Sequence, residues 1–235
     1  MLVGSGVLLR GDASEFLLTA AHVMDIAPGK LHISNTQELV RVSGHYSHTL
    51  AASVSRHEDK FDLAIVPLSD DVTARLRDLR FLDISDLAPD HVPTYQTPFA
   101  SRYLVLGYPA SKARVRSDGS FDIESLHYIG EPQQSDGFSR HGWTADSHLI
   151  IDYDKKRSNN VGGRVTAPDP YGISGGVVFY LGEGLRINSG AEKLVGIAVE
   201  YAGTARKAMA ATRIGVILDG LQLRHPESVA RIARP

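Results

Sequence analysis

The feature that most constrains the fold of this chain is a series of short aliphatic or β-branched runs separated by turn residues. Residues 5–9, 16–19, 31–34, 39–43 and 63–68 are such runs, with Gly11-Asp12 and Pro28-Gly29 between some of them. Strand-length runs bounded by turn chemistry predict a sandwich or barrel. Between residues 69 and 93 the pattern changes. Val72, Leu76 and Leu79 fall at helical spacing, and the loop signals Pro89-Asp90 and Pro93 follow, which reads as a connection between two halves. Strand-like runs resume at 103–106, 148–153, 176–180, 194–201 and 208–211. The expected fold is therefore all-β, with a first unit and its linker in residues 1–90 and a second unit in 91–235. The polar stretch 117–142 predicts a hairpin with surface loops. Near the end Thr212 is placed to N-cap a helix whose Ile214, Ile217, Leu218 and Leu221 share one face, and this helix is expected to pack on the second unit.

With 235 residues, 43% of them apolar and 22% charged, the chain can bury a sizeable core and shows no sign of disorder. A formal charge of -2 and the lack of a long Lys/Arg run argue against nucleic acid or a membrane surface as partner. There are no cysteines, so disulfides, thiolate metal sites and cysteine nucleophiles are excluded. That composition fits a reducing compartment and leads to the expectation of a cytoplasmic protein. The apolar start lacks a basic region, is cut by Gly4 and Gly6, and runs into Arg10 and Asp12, so it reads as a strand rather than a signal peptide. No apolar segment approaches the ~20 residues that span a bilayer, and a soluble protein is expected.

Gly172-Ile173-Ser174-Gly175-Gly176 precedes the apolar Val177-Val178-Phe179. Glycines let the backbone turn sharply enough to expose a serine oxygen and to aim N–H groups at a developing oxyanion. Taken alone, the pentapeptide reads equally well as a Gly-rich hairpin turn. A serine nucleophile needs a histidine to take its proton and a carboxylate to fix the histidine's tautomer. Of ten histidines, His22 is best placed, at the end of the apolar run Leu17-Leu18-Thr19-Ala20-Ala21. Asp62 heads the apolar run Leu63-Ala64-Ile65-Val66, where a carboxylate is satisfied if it accepts from a histidine N–H and costly if unpaired. His45 and His48 read as a solvated strand end, because no HExxH or similar cluster accompanies them, and no metal is expected.

Together these residues resemble the trypsin/chymotrypsin-like serine peptidases, especially the cysteine-free bacterial and intracellular branch that includes the high-temperature-requirement and V8-like proteases. The residues that carry the resemblance are Gly4-Ser5-Gly6-Val7-Leu8-Leu9, Thr19-Ala20-Ala21-His22, Asp62-Leu63-Ala64, Leu106-Gly107-Tyr108-Pro109, Gly172-Ile173-Ser174-Gly175-Gly176 and Leu194-Val195-Gly196-Ile197, in the family's order. The resemblance implies two packed, six-stranded antiparallel β-barrels of the chymotrypsin type, with a C-terminal helix and the active site in the cleft between the barrels. It implies a catalytic triad of His22, Asp62 and Ser174, an oxyanion hole from the N–H groups of Gly172 and Ser174, and an extended peptide or protein substrate added along Val199, Glu200 and Tyr201. It implies no cofactor.

Only three residues precede Gly4, so the first barrel is expected to lack its opening strand; either the chain is a fragment, or another segment or a partner fills the place. The loops between Tyr103 and Gly172 look long enough to shape a specific cleft or to dock a regulatory protein partner. Asp169, before the nucleophile, and Glu200 are candidates to favour Lys or Arg in the primary pocket, although both could face solvent. Ile173 occupies the place where secreted digestive relatives carry an acidic residue that pairs with a new N-terminal ammonium. Isoleucine cannot make that pair, so the oxyanion turn must be ordered by packing or by a partner. Two other functions compete with the peptidase. One is a protease-like peptide- or partner-binding module with little turnover, against which the completeness of the triad argues. The other is an α/β-hydrolase esterase, which needs a strand-to-helix elbow at the serine and a later histidine; here a strand-like run follows Ser174, and the later His225 lies beside Pro226 near the tail.

Overall fold

The computed structural model describes residues 3–26, 29, 31–35, 37–49, 55–95, 100–117, 121–133, 138, 142–154, 159–160, 163–164, 166–183, 192–202 and 208–229. Pro28 of the expected Pro28-Gly29 turn, and residues 118–120, 134–137 and 139–141 of the polar stretch, lie outside the described residues. The architecture is mostly β, with few helices.

In the first half, β1 (Val7–Arg10) and β2 (Glu15–Ala20) form a hairpin, with Val7 opposite Leu18 and Arg10 opposite Glu15. Where β2 ends, α1 (Ala21–Ile26) begins. The hairpin of β3 (His32–Ser34) and β4 (Leu39–Arg41) turns on Asn35, whose Oδ1 accepts from the N–H groups of Gln37 and Glu38. Next come β5 (Ser47–His48), β6 (Leu63–Pro67), α2 (Asp70–Arg75) and β7 (Leu82–Asp83). The Ser69 hydroxyl caps α2, which buries Val72, and Leu76 follows at its C-cap, as the helical spacing predicts. The sheet order is β5-β6-β2-β1-β7. On the outer edge of β1, β7 pairs in parallel, Leu9 with Leu82 and Arg10 with Asp83. The edge is thus filled by the segment that follows α2.

The second half contains β8 (Ser101–Gly107), the hairpin of β9 (Ala113–Val115) and β10 (Phe121–Ile123), β11 (Leu126–Gly130) and β12 (His148–Asp152). The small pair β13 (Asn159–Asn160) and β14 (Gly163–Arg164) follows, then β15 (Val177–Glu183), β16 (Lys193–Ala202), β17 (Ala208–Arg213) and α3 (Ile214–Arg224). The six-stranded order is β11-β8-β15-β16-β17-β12. Beyond β11 the chain bridges to β12 at Pro132 and Ile151, so the two edges of this sheet meet. Among the described residues the first half differs from the six-stranded expectation: they form a five-stranded sheet, with β3–β4 as a separate pair.

Among the described residues the apolar side chains form three clusters, and two of them are shared between the halves. Tyr103, Val105, Leu149, Ile151 and Val178 fill the second sheet. Leu17, Val40, Val66 and Leu76 of the first half pack with Trp143, Ile150, Val199 and Ala210 of the second. The helix α3 packs on the second unit, as expected, and reaches the first sheet as well. Its Ile214, Ile217, Leu218 and Leu221 join Leu9, Phe16, Leu18 and Ile65 of the first sheet as well as Leu194 and Ile197 of the second. Each such buried side chain contributes about 1.5–3 kcal/mol of transfer free energy, which is enough for one helix to fasten two sheets together.

Candidate active site

The pairing of β2 with β6 ends at Ala20 opposite Leu63, so the residues just beyond that register lie side by side. The Ala21 N–H donates to the Asp62 carbonyl at 2.8 Å. The His22 N–H donates to Asp62 Oδ1 at 2.9 Å, and His22 Nδ1 lies 2.5 Å from Asp62 Oδ2. Asp62 reaches this double contact with φ at +45°, a left-handed conformation that aspartate tolerates better than most residues. An ionised carboxylate can only accept, so this contact selects, for the neutral ring, the tautomer with its proton on Nδ1 and its lone pair on Nε2. The Asp62 side chain is mostly covered, while His22 stays about one-third exposed at 35%. The imidazole is held on one edge and open on the other.

The loop leading to Asp62 is fastened from both halves. Asp59, with its side chain 2% exposed, accepts from Arg56 Nη1 at 2.8 Å and from Thr49 Oγ1 at 2.7 Å, and Arg56 Nε donates to Asp25 of α1 at 2.7 Å. Arg56 therefore ties the helix bearing His22 to the loop bearing Asp62. From the second sheet, Thr212 Oγ1 donates to the Phe61 carbonyl at 2.6 Å. His148 Nε2 meets the Lys60 carbonyl at 2.8 Å, and the His148 ring stacks on Phe61. Burial pushes the His148 pKa down, and the carbonyls of Lys60 and Thr144 oppose the shift only in part. The neutral ring then donates through Nε2 and accepts from Ser147 Oγ at Nδ1. The sequence places Thr212 as a helix cap, whereas Arg213 occupies the cap of α3 and the Thr212 hydroxyl is spent on Phe61. Nothing in the sequence marks Thr212, His148, Arg56 or Asp59 as supports of Asp62.

Ser174 lies on a compact turn between β14 and β15. The Ile173 N–H donates to the Pro170 carbonyl and the Gly176 N–H to the Ile173 carbonyl, at 2.9 and 2.7 Å. Gly172 and Gly175 have φ of +93° and +88°, which glycine alone adopts without strain. Any Cβ on Gly175 would collide with the Ser5 carbonyl and Thr19 Oγ1. The N–H groups of Gly172 and Ser174 have no partner among the described residues. Ser174 Oγ is turned to the Val199 carbonyl at 3.4 Å. The turn sits against the first half through Gly4, where a Cβ would meet the side chain of Val23, next to His22, at 2.5 Å and the Ser174 carbonyl at 3.1 Å.

A pocket opens beside Ser174, lined by Pro170, Ile173, Ala198, Val199, Glu200, Tyr201 and Met209. The register between β16 and β17 shifts between Ala198 and Glu200, a bulge that re-aims the strand at Val199 next to the serine. Of the residues expected to meet substrate, Val199, Glu200 and Tyr201 line this pocket. Asp169 is outside it: the residue is exposed, and its Oδ1 accepts from the Tyr171 N–H at 3.1 Å, so it caps its own turn. Among the described residues no cluster of three His, Asp or Glu could hold a metal ion, and no helix is long and apolar enough to cross a membrane.

Comparison with solved structures finds the same fold in neuropsin, a serine protease expressed in the limbic system of mouse brain, with a TM-score of 0.59 and 16% identity over 95% of this chain and 89% of that one. A second match, at TM-score 0.51 and 17% identity, covers 93% of this chain and 83% of a chain solved in work on the coupled folding and binding of the intrinsically disordered Sesbania mosaic virus VPg protein. No curated protein sequence matches. The family model for the trypsin-like peptidase domain matches residues 4–184, a span that runs from the strand before His22 to beyond Ser174, and the chain belongs to that family.

Proposed function

We propose that this protein is a serine endopeptidase in which Ser174 is the nucleophile, His22 the general base and acid, and Asp62 the residue that orients His22. The observation that carries this reading is the two-point contact of Asp62 with both the backbone N–H and the ring Nδ1 of His22, which leaves Nε2 free to take a proton. In the proposed cycle Ser174 Oγ rotates away from Val199, attacks the scissile carbonyl carbon and passes its proton to His22 Nε2. The oxyanion is taken up by the N–H groups of Gly172 and Ser174. His22 then gives the proton to the leaving amine, and water, activated by the same base, releases the acyl group from Ser174. Peptide would lie extended against residues 199–201. A preference for Lys or Arg rests on Glu200, since it is the one acidic residue of the pocket lining and Asp169 lies elsewhere.

One observation favours a binding module with little turnover, namely the Ser174 hydroxyl facing Val199 instead of His22. A fluorophosphonate probe separates the two readings. Covalent labelling that is lost in Ser174→Ala, with cleavage of members of a peptide library, supports the peptidase. Peptide binding without labelling or cleavage supports the module.

A further inference from the structure

Ile173, immediately before Ser174, is apolar and 2% exposed, so no charge on that residue can order the turn. The order has to come from the carbonyls, and each of the four consecutive ones is held. The Tyr171 carbonyl accepts from the Ala110 N–H and the Ile173 carbonyl from the Gly176 N–H. The other two are both held by one residue of the opposite half. Ser5 donates its N–H to the Ser174 carbonyl at 2.8 Å and its hydroxyl to the Gly172 carbonyl at 2.9 Å. The same hydroxyl accepts from the Tyr108 N–H at 2.8 Å, and the Ser5 carbonyl accepts from Thr19 Oγ1 at 2.7 Å. Ser5 is buried, and its N–H, hydroxyl and carbonyl are all engaged.

We infer that Ser5 is a positioning residue that sets the peptide planes of the nucleophile turn and ties that turn to the strand delivering His22. This rests on the reading of Ser174 as nucleophile. Gly172 at positive φ has no side chain to hold its peptide, and a flipped Gly172–Ile173 plane would alter the aim of the neighbouring N–H groups. The Ser5 hydroxyl blocks that flip by donating to the Gly172 carbonyl, while its acceptance from Tyr108 anchors it to the loop whose Ala110 fixes the Tyr171–Gly172 plane. Thr19 lies in β2 ahead of His22, so the Ser5 carbonyl carries the reference position of the histidine across to the serine. No charge is involved, and the tie needs no newly made chain end.

The test uses Ser5→Ala and Ser5→Cys in the full chain. Cysteine keeps the shape with a slightly larger atom, but bonds weakly at both lone pair and proton. Both variants should lower the rate of fluorophosphonate labelling and kcat on a peptide chosen from the library about tenfold to a hundredfold, with KM within about twofold, as expected for misplacement of reacting groups. Leu221→Val in α3, a destabilised control away from the site, should leave kcat unchanged. A Ser5→Cys protein with full kcat overturns the inference, as does a loss in Ser5→Cys matched by Leu221→Val at equal melting temperature. Should the unmutated chain neither label nor cleave, the peptidase reading fails, and amide hydrogen exchange reads the tie by itself. Faster exchange confined to residues 172–176 in Ser5→Cys supports it, and unchanged exchange there overturns it.

Discussion

His22 and Asp62 on one side, and Ser174 on the other, are assembled in different ways. The first two stand at the ends of adjacent, hydrogen-bonded strands, so their contact follows from the register of β2 on β6. Ser174 comes from the six-stranded sheet, and its placement relative to His22 depends on how the halves dock. A local register tolerates little variation, because β6 is buried on both faces and slipping by one residue would exchange Leu63 and Ile65, which pack in one core, for Ala64 and Val66, which pack in the other. Docking has no such digital lock. It is secured instead by buried or partly buried polar ties that cross between the halves: Ser5 to Gly172 and Ser174, Thr212 to Phe61, and His148 to Lys60. A buried carbonyl left unsatisfied costs about 1–3 kcal/mol and a partly buried one less, so the ties favour one docking over its neighbours.

The largest expected effect tests whether both sides are needed at all. Ser174→Ala and His22→Ala should each reduce turnover by about 10⁴-fold or more while the chain stays folded, because neither side chain fills the core. Asp62→Asn should approach the same loss, since an amide NH₂ facing Nδ1 would force the proton to Nε2. Initial rates on a cleaved peptide, with circular dichroism to confirm folding, provide the measurement. Retention of full activity by Ser174→Ala would sink the assignment.

A smaller effect is expected from the docking ties. Thr212→Val removes the donor to the Phe61 carbonyl and keeps the shape. It should lower stability by about 1 kcal/mol in denaturant titration and reduce kcat about tenfold, the second effect arising because the Asp62 loop loses one of its holds from the other half, leaving that of His148 on Lys60. A stability loss with kcat unchanged would show that register alone positions Asp62, and the contrast between the two regions would then be overdrawn.

The residues on the register side were the more legible in the sequence. An apolar run ending in His22 and another beginning at Asp62 are local patterns, and the glycines around Ser174 report the turn through their own φ values. The residues that join the halves left no such trace. Thr212 lies 151 positions from Phe61, and Ser5 lies 167 from Gly172, so no periodicity or spacing connects them. Thr212 before an amphipathic run looks like a cap, and the α3 stripe does not say which sheet it will meet. The parallel pairing of β7 on β1 was equally hidden, since it involves only Leu82 and Asp83. Asp169 misled for the opposite reason: an Asx turn onto Tyr171 and a pocket wall look alike in sequence.

Within the second half, Glu200 offers a finer test of what the serine side contributes. Glu200→Gln should weaken any preference for Lys or Arg several-fold in library cleavage and leave kcat for neutral peptides unaltered, because the residue lines the pocket and makes no contact with His22 or Asp62 among the described residues. A library that never favours basic residues would remove Glu200 as a determinant.

The smallest expected effect is a pH dependence of stability carried by the buried histidine at the junction. Burial holds His148 neutral, with its pKa below the ordinary value of about 6.5 that it regains on unfolding. Between those two values the unfolded chain binds more protons than the folded one, so stability is complete above about pH 6.5 and falls as pH drops through that value. His91, pushed down to about 4 by burial and by the neighbouring Arg213, adds a loss of the same sign from about pH 6.5 to 4, but it bonds to Tyr103 within the second half. The two can be separated. His148→Gln keeps a donor for the Lys60 carbonyl without a titrating ring, so its stability should fall less between pH 7 and 5 than that of the unmutated chain, and the difference should vanish above pH 7. Because His148 spans the halves, the activity of the unmutated chain measured at pH 7 after brief exposure to pH 5 should recover fully. An identical pH slope in His148→Gln and the unmutated chain would mean that this histidine is not held neutral.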